Sequence, residues 1–262
     1  MKITGLSKFF GGASLALALF ASQGAGAAAV AVFDDASFVA EESDNIQAVL
    51  STTLGHTVST FTGTADGVFG TALSGADALV IPEQENGDLS SALSATAIAE
   101  ITGFMASGGQ VVVVGSYYTT GDGFGAAMVN ALLGTAFGET DFSTASSSSI
   151  TAAAAATPFA GGPASLPNLS GTSGLTGVAA ANTVYQTGGA ASVAWFSAGL
   201  TYIGWDFFDA APLRTTDPQG WETILDIAVT PRDTQVPVPA TALLLLAGIV
   251  GSRAVSRRAA RR

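Results

Sequence analysis

Short apolar runs alternate with helical patterns over the first half of the chain, and this alternation restricts the fold more than any other feature. The runs predict strands at residues 29–33, 56–61, 76–81 and 110–114. Apolar runs of four to eight residues suit buried strands better than helices, which need greater length. Strands that alternate with helices are typical of a parallel sheet covered on both faces. The sequence therefore predicts an α/β fold.

Two helices are predicted between these strands. Ser43 is expected to cap a helix whose apolar face carries Ile46 and Val49, and Gly55 is expected to end it. Ser94 is expected to cap a second helix that runs through Met105 to a glycine pair. Both interpretations use the preference of serine for helix starts and of glycine for helix ends.

The second half of the chain begins with a predicted helix at 124–133, which Gly134 closes. Residues 136–183 are rich in Ser, Thr, Ala, Gly and Pro, and we interpret them as an insertion of loops and short strands. Partial disorder is the alternative, because this region has few large apolar residues. Order is expected to return in three strands and a closing helix, at 183–185, 192–196, 200–205 and 221–229.

The amino-terminal residues have the pattern of a secretory signal peptide. Two lysines precede the apolar residues 9–20, and small residues with several A-x-A choices follow. This order of charged, apolar and small residues predicts export and removal of residues 1–29 by signal peptidase. The cut is expected between Ala27 and Val30. An uncleaved membrane anchor is the alternative.

The carboxyl terminus has three ordered parts. A proline-containing motif comes first: Val236, Pro237, Val238, Pro239 and Ala240. An uncharged apolar segment follows over 240–252, and a basic cluster ends the chain: Arg253, Arg257, Arg258, Arg261 and Arg262. This tail resembles the VPLPA variant of PEP-CTERM sorting signals, with Val238 in place of the motif's leucine. The resemblance implies processing by an exosortase.

The physical properties of this tail also favour a single apolar helix at the membrane. Its 13 uncharged residues would cover about 20 Å as a helix, short of the ~30 Å hydrocarbon core. Flanking valines and snorkelling arginines would therefore have to extend the span. The arginines predict a cytoplasmic carboxyl terminus, with everything before Val236 on the far side. A buried core helix with a disordered basic end is the alternative.

The charge between the two ends is strongly negative. Residues 30–235 hold Arg214 and Arg232 against all 20 acidic residues, a formal charge of −18. Such a surface repels nucleic acid and anionic lipid, so we predict no nucleic-acid partner. The chain has no cysteine, which excludes disulfides and thiolate chemistry.

The central part, 30–235, resembles the class I glutamine amidotransferase superfamily. The similarity lies in residues 30–35, 78–83, 104–115 and 202–208. It implies a flavodoxin-like three-layer sandwich with a mostly parallel central sheet. The family's nucleophilic cysteine would lie near 115–117, with a histidine late in the domain, and the chain has neither.

The residues that remain do not replace this catalytic apparatus. The one histidine, His56, begins the second strand and should lie partly exposed at the edge opposite Ser116. A serine nucleophile needs an adjacent base, and the G-x-S-x-G elbow is absent at Ser116. We therefore predict a domain that is not an enzyme.

Acidic residues follow two of the predicted parallel strands, and they are the candidate site. Asp34 and Asp35 follow the first strand, and Glu83 and Glu85 follow the third. The carboxyl ends of parallel strands share one edge, where ligands of α/β sheets usually bind. These oxygens could hold calcium or magnesium, and no other cofactor is expected. A solvated acidic rim is the alternative.

Three further groups of residues are weaker candidates for a site. Asp88 also follows the third strand, and Asp206 and Asp209 follow a late strand toward the same edge. Trp195, Tyr202 and Trp205 could form a platform for sugars, although aromatic residues at alternating strand positions more often belong to the core.

Together these patterns predict an exported protein displayed outside the cytoplasmic membrane, in the envelope or extracellular matrix. Its α/β domain would bind or support other components without catalysis. The expected partners are the Sec translocon, signal peptidase, an exosortase-type enzyme, the cytoplasmic membrane and exopolysaccharide. The alternative is an extracellular hydrolase that uses carboxylates at the carboxyl edge of the sheet.

Overall fold

A computed structural model describes residues 26–115, 123–142 and 146–232. The predicted signal peptide before residue 26, the sorting motif and the apolar segment of the tail lie outside the described residues. Among the described residues, no helix is long and apolar enough to cross a membrane. The compact unit that contains the sheet ends at Thr230.

The described residues form eleven strands and six α-helices. The strands are β1 (Ala29–Phe33), β2 (Thr57–Phe61), β3 (Ala78–Ile81), β4 (Gln110–Val114), β5 (Gly138–Asp141), β6 (Ser147–Ile150), β7 (Ser165–Pro167), β8 (Ser173–Thr176), β9 (Thr183–Thr187), β10 (Ala190–Phe196) and β11 (Leu200–Ile203). The helices are α1 (Glu41–Ala48), α2 (Val68–Ala72), α3 (Leu89–Ala92), α4 (Ala95–Ala106), α5 (Phe124–Leu133) and α6 (Trp221–Val229). The protein is therefore a mixed α/β fold, as predicted.

Five strands form the parallel half of one continuous sheet, in the order β2-β1-β3-β4-β11. Val30 pairs with Ala78, and Leu200 pairs with Val111, both in parallel register. The four strands predicted in the first half of the chain are confirmed, with starts that differ by at most two residues. Their carboxyl ends share one edge, called here the carboxyl edge.

The rest of the sheet is antiparallel, so the prediction of a mostly parallel sheet was wrong for the sheet as a whole. From β11 the order continues β10-β9-β6-β7, and β8 pairs with both β10 and β5. The predicted insertion at 136–183 supplies four of these strands. Its described residues are ordered because Phe159, Leu166 and Leu175 are buried in the core.

Helices cover both faces of the sheet. Val30 and Val32 face a cluster that includes Ile46 of α1 and Ile224 of α6. The alternate residues of β1 face a second cluster, to which α2, α3, α4 and α5 contribute. This alternation explains why the parallel strands are apolar throughout, since each side chain is buried on one face or the other.

The helix ends confirm some expectations and correct one. The Ser94 hydroxyl accepts a hydrogen bond from the Ala97 N–H at 3.1 Å, as a cap should. Gly134 ends α5 in the left-handed conformation. Ser43, however, does not cap α1. The helix begins two residues earlier, at Glu41, and Ser43 is buried within its first turn.

Candidate functional site

The acidic residues predicted for the site do lie at the carboxyl edge. Asp34 and Asp35 directly follow β1, and Glu83 and Glu85 follow its parallel neighbour β3. The two loops contact each other, since the Asn86 N–H donates to the Phe38 carbonyl at 2.9 Å. The Asn86 side chain donates to two more carbonyls of the first loop.

Two of the predicted acids serve local structure at this edge. The Asp35 carboxylate accepts hydrogen bonds from the N–H groups of Ser37, at 3.0 Å, and Gly63, at 2.9 Å. The bond from Ser37 is the main reason that the pKa of Asp35 falls below its usual value. Asp88 caps α3 by accepting a hydrogen bond from the Ser91 N–H.

The structure does not assemble these acids into a metal site. Within residues 26–115, 123–142 and 146–232, no three His, Cys, Asp or Glu side chains are placed so as to hold a metal ion. Asp34, Asp35, Glu83 and Glu85 therefore share an edge without converging as the predicted calcium or magnesium ligands. Glu83 is buried at 2% exposure, whereas Glu85 is partly exposed.

The most perturbed carboxyl groups at this edge are Glu42 and Asp206. Glu42, in the first turn of α1, is only 1% exposed, and its Oε2 has no hydrogen-bond partner. Burial raises its pKa to about 7, and the charges of Glu85 and Glu41 add to the effect. Backbone N–H groups partly oppose this shift, but the loss of water outweighs them, so the group favours its neutral form.

Asp206, just after β11, is perturbed in the same direction. It is 5% exposed, and burial raises its pKa to about 7. The Phe208 N–H, which donates to Asp206 Oδ1 at 3.0 Å, partly opposes this shift, and the charge of Glu42 increases it. Glu42 and Asp206 are therefore a pair of buried carboxyl groups whose pKa values both lie near neutral pH.

The backbone around Asp206 is tightly constrained. Gly171 has φ +79°, and a Cβ added there would lie 1.6 Å from Asp206 Oδ2. Phe207 adopts φ +65°, which is uncommon for a residue with a side chain. Its ring is buried against Trp205, with centroids 4.5 Å apart, and this packing holds the strained turn.

A mixed apolar and charged rim lies beside the pair, and we call Phe208, Leu213 and Arg214 the rim. Phe208 is 40% exposed and Leu213 is 57% exposed. The Arg214 guanidinium lies 5.6 Å from the centre of the Phe208 ring and forms an ion pair with Glu41. The Asn45 side-chain amide donates to the Phe208 carbonyl, which joins the rim to α1.

A second polar cluster lies near the end of β4. The Tyr202 hydroxyl donates to Glu139 Oε1 at 2.6 Å and lies 2.7 Å from Ser173 Oγ. Burial, followed by the charge of Glu139, raises the pKa of Tyr202 well above its usual value. Glu139 Oε2 accepts from the Ala126 N–H at 2.9 Å. A Cβ at Gly115 would lie 2.4 Å from the Tyr202 hydroxyl oxygen, so this corner has no room for a side chain.

His56 lies at the opposite edge of the sheet, as predicted, since it immediately precedes β2. It is buried at 7% exposure, and the expectation of a partly exposed residue was wrong. The Ala28 N–H donates to its Nδ1 at 3.1 Å, so Nε2 carries the proton and donates to Asp226 Oδ1 at 3.0 Å. Both ring nitrogens are engaged far from the carboxyl edge.

The aromatic residues considered as a sugar platform belong to the core. Tyr202 and Trp205 are at most 1% exposed. Trp205 Nε1 donates to the Ser170 carbonyl at 3.1 Å, and its ring lies 6.3 Å from that of Trp221. Trp195 is partly buried. Tyr202 and Trp205 therefore present no face to a sugar.

Sequence reasoning missed Glu42 and Glu139. A signal for Glu42 exists, because it precedes the apolar residues Ile46 and Val49 by four and seven positions. That spacing puts it on the buried face of the helix. No comparable signal marks Glu139, whose partners Ser173 and Tyr202 lie more than 30 residues away. Ser116 lies outside the described residues.

The chain was compared with protein-family models, with curated proteins and with solved structures, and none of the three comparisons finds a match. The resemblances to sorting signals and to amidotransferases therefore stay predictions.

Proposed function

We propose that this chain is exported and sorted at the cytoplasmic membrane, and that its α/β domain acts outside the cell as a non-catalytic binding or structural domain. The order of features in the tail carries the proposal. A proline motif at 236–240, an uncharged apolar segment and five arginines stand in the order that membrane sorting requires. The signal-peptide pattern supplies the matching route through the Sec translocon.

The described domain supports the non-catalytic part of the proposal. The order β2-β1-β3-β4-β11 agrees with the 2-1-3-4-5 order of flavodoxin-like sheets, which favours the proposed likeness to amidotransferases. In that family the nucleophile would follow β4, beside Gly115. Here the one histidine is hydrogen-bonded at the far edge, and the space beside Gly115 is filled by Tyr202 and Ser173.

The rim is our proposed contact surface for an envelope component such as exopolysaccharide. An exposed aromatic ring can stack on a sugar face. The Arg214 guanidinium, which is paired with Glu41, has further N–H groups that can donate to sugar hydroxyls. Cosedimentation of the protein with the organism's own exopolysaccharide tests this. Phe208→Ala should reduce the bound fraction, whereas Thr215→Ala, at an exposed neighbour, should leave it unchanged. Equal binding by both variants would remove the rim from the proposal.

Sorting is tested by fractionation and intact mass of the native protein, compared with a Pro237→Ala, Pro239→Ala variant. The native protein should lose its carboxyl-terminal segment and leave the membrane, while the variant keeps its arginines and stays. Pro231→Ala, which lies before the motif, is the matched control and should behave as the native protein. Full-length protein in the membrane in every case would mean a permanent anchor and would contradict exosortase processing.

One observation favours the second candidate function, an extracellular hydrolase. Glu42 and Asp206 have pKa values of about 7, where one carboxyl group can donate a proton while its neighbour accepts one. Activity on ester or polysaccharide substrates that is lost in Glu42→Gln and in Asp206→Asn, and kept in Glu41→Gln, would support this class. Activity unaffected by both substitutions would exclude the pair as its acid and base.

A further inference from the structure

The start of the folded domain distinguishes three bonds that the leader sequence leaves equivalent. Signal peptidase requires small residues at the first and third positions before the cut. The requirement is met for the Ala27–Ala28 bond by Ala25 and Ala27, and for the Ala29–Val30 bond by Ala27 and Ala29. It is also met for the Ala28–Ala29 bond between them, by Gly26 and Ala28. Local sequence alone does not choose between them.

Ala28 and Ala29 are integral to the fold. Ala28 is fully buried, while Gly26 and Ala27 are exposed. The Ala28 N–H donates to His56 Nδ1 at 3.1 Å, and the Ala28 carbonyl accepts from the Thr57 N–H at 2.9 Å. A chain that began at Val30 would lose these contacts.

Ala29 is anchored in the same way on the other side of β1. Its N–H donates to Asp77 Oδ2 at 2.8 Å, and its carbonyl accepts from the Asp77 N–H at 2.7 Å. Cleavage after Ala29 would therefore remove four hydrogen bonds, and it would leave Nδ1 of the buried His56 ring without its donor. Unpaired buried polar groups are costly.

We propose that signal peptidase cuts the Ala27–Ala28 bond and that the new α-amino group of Ala28 donates a hydrogen bond to His56 Nδ1. This inference rests on the export proposed above. Hydrolysis adds water across the peptide bond, leaving a carboxylate on Ala27 and an amino group on Ala28. The Ala28 nitrogen keeps a hydrogen to donate to Nδ1, so the bond to His56 survives the cut. Asp226 holds the imidazole in the required tautomer from its other side.

The first test is amino-terminal sequencing and intact mass of the full-length chain expressed in its own cell. The exported protein should begin at Ala28. A first residue of Val30, or any other exported start, overturns the inference and leaves export standing. Protein that keeps Met1 and stays in the cytoplasm overturns both the inference and the export proposal.

Two matched substitutions test which bond is used. Ala25→Leu places a large residue at the third position before the Ala27–Ala28 bond, and it should move the amino terminus of the exported protein from Ala28 to a later residue. Ala29→Leu places one directly before the Ala29–Val30 bond, and the amount of processed protein in a short pulse should stay unchanged. The reverse pattern would assign the cut to the later bond.

The hydrogen bond between the new amino group and His56 can be tested by the rate at which that amino group is acylated. The chain's two lysines, Lys2 and Lys8, both lie in the leader, so the processed protein has a single amine, the new amino terminus. An amine-acylating reagent should label the folded protein at least about tenfold more slowly than the urea-unfolded protein. His56→Ala should raise the rate in the folded state. Equal labelling rates for folded and unfolded wild-type protein would overturn the proposed hydrogen bond between the amino terminus and His56.

Discussion

Replacement of Glu42 by glutamine should make the domain more stable above neutral pH. The Glu42 carboxyl group has an ordinary pKa of 4.5, which burial in the folded protein raises to about 7. Below pH 4.5 the group is neutral in both the folded and the unfolded state, so its raised pKa does not lower the free energy of unfolding. As the pH rises from 4.5 to 7, the unfolded chain ionises first, so the free energy of unfolding falls. Above pH 7 the group is ionised in both states, and the free energy of unfolding falls no further on its account.

The size of this effect follows from the shift. A difference of one pKa unit corresponds to about 1.4 kcal/mol, so the shift of Glu42 destabilises the folded state by about 3 kcal/mol at pH 8. Glutamine has nearly the same shape and carries no charge. It also relieves Asp206 of a like-charged neighbour. The expected gain is about 2–3 kcal/mol at pH 8 and near zero at pH 4.5.

This gain can be measured by urea unfolding of a chain of residues 26–232. Tryptophan fluorescence is the signal, and the pH is varied from 4.5 to 8.5. Glu41→Gln is the matched control because it removes the same charge from the adjacent residue, which is exposed and paired with Arg214. An exposed pair contributes at most about 1 kcal/mol, and the charge of Glu41 is one of the smaller causes of the raised pKa of Glu42, so this variant should stay within about 1 kcal/mol of the wild type across the range. A Glu42→Gln protein that gains nothing at pH 8, or that follows the same pH curve as Glu41→Gln, would refute the reasoning.

Three further substitutions probe the same structure, with urea unfolding as the measurement for each. Gly171→Ala should lower the free energy of unfolding by about 3 kcal/mol or more, since its Cβ would clash with Asp206 at a positive φ. Gly188→Ala is the control, at φ +57° in open space, and should lower it by only about 1–2 kcal/mol. Equal losses for the two variants would contradict the clash. Tyr202→Phe should cost about 1–3 kcal/mol because it removes the 2.6 Å hydrogen bond to the Glu139 carboxylate and leaves Oε1 with the longer bond from the Ser173 hydroxyl, at 3.0 Å, and a neutral result would mean that the Tyr202 bond adds no stability. His56→Ala should cost about 2 kcal/mol or more through loss of both ring hydrogen bonds, so an unchanged urea midpoint would show that neither bond stabilises the fold.

The bounds of several elements could be predicted from sequence because their signals are local. β1, β4, α5 and α6 have the predicted limits, and Gly134 ends α5 as expected. The short helices α2 and α3, by contrast, were not predicted. Each has only four or five residues, which is too few for an apolar period to appear.

The sequence predicted where in the fold the candidate site lies, but it did not predict which residues form it. The shared edge of parallel strands put the acids after β1 and β3 close together. The pair with the most perturbed pKa values, Glu42 and Asp206, depends on which carboxyl groups lose contact with water. Glu41 and Glu42 are identical neighbours in sequence, yet one is exposed and the other is buried.

The sequence by itself determined the alternation of strands and helices, the absence of thiolate chemistry and the leader and tail patterns, because each depends on composition or short spacing. Tertiary structure alone decided that residues 136–183 extend the sheet in antiparallel fashion. It also decided that Glu139 meets Tyr202 and that His56 receives the Ala28 N–H. These contacts join residues 28 to 63 positions apart, and only chain packing around a common core brings such residues together.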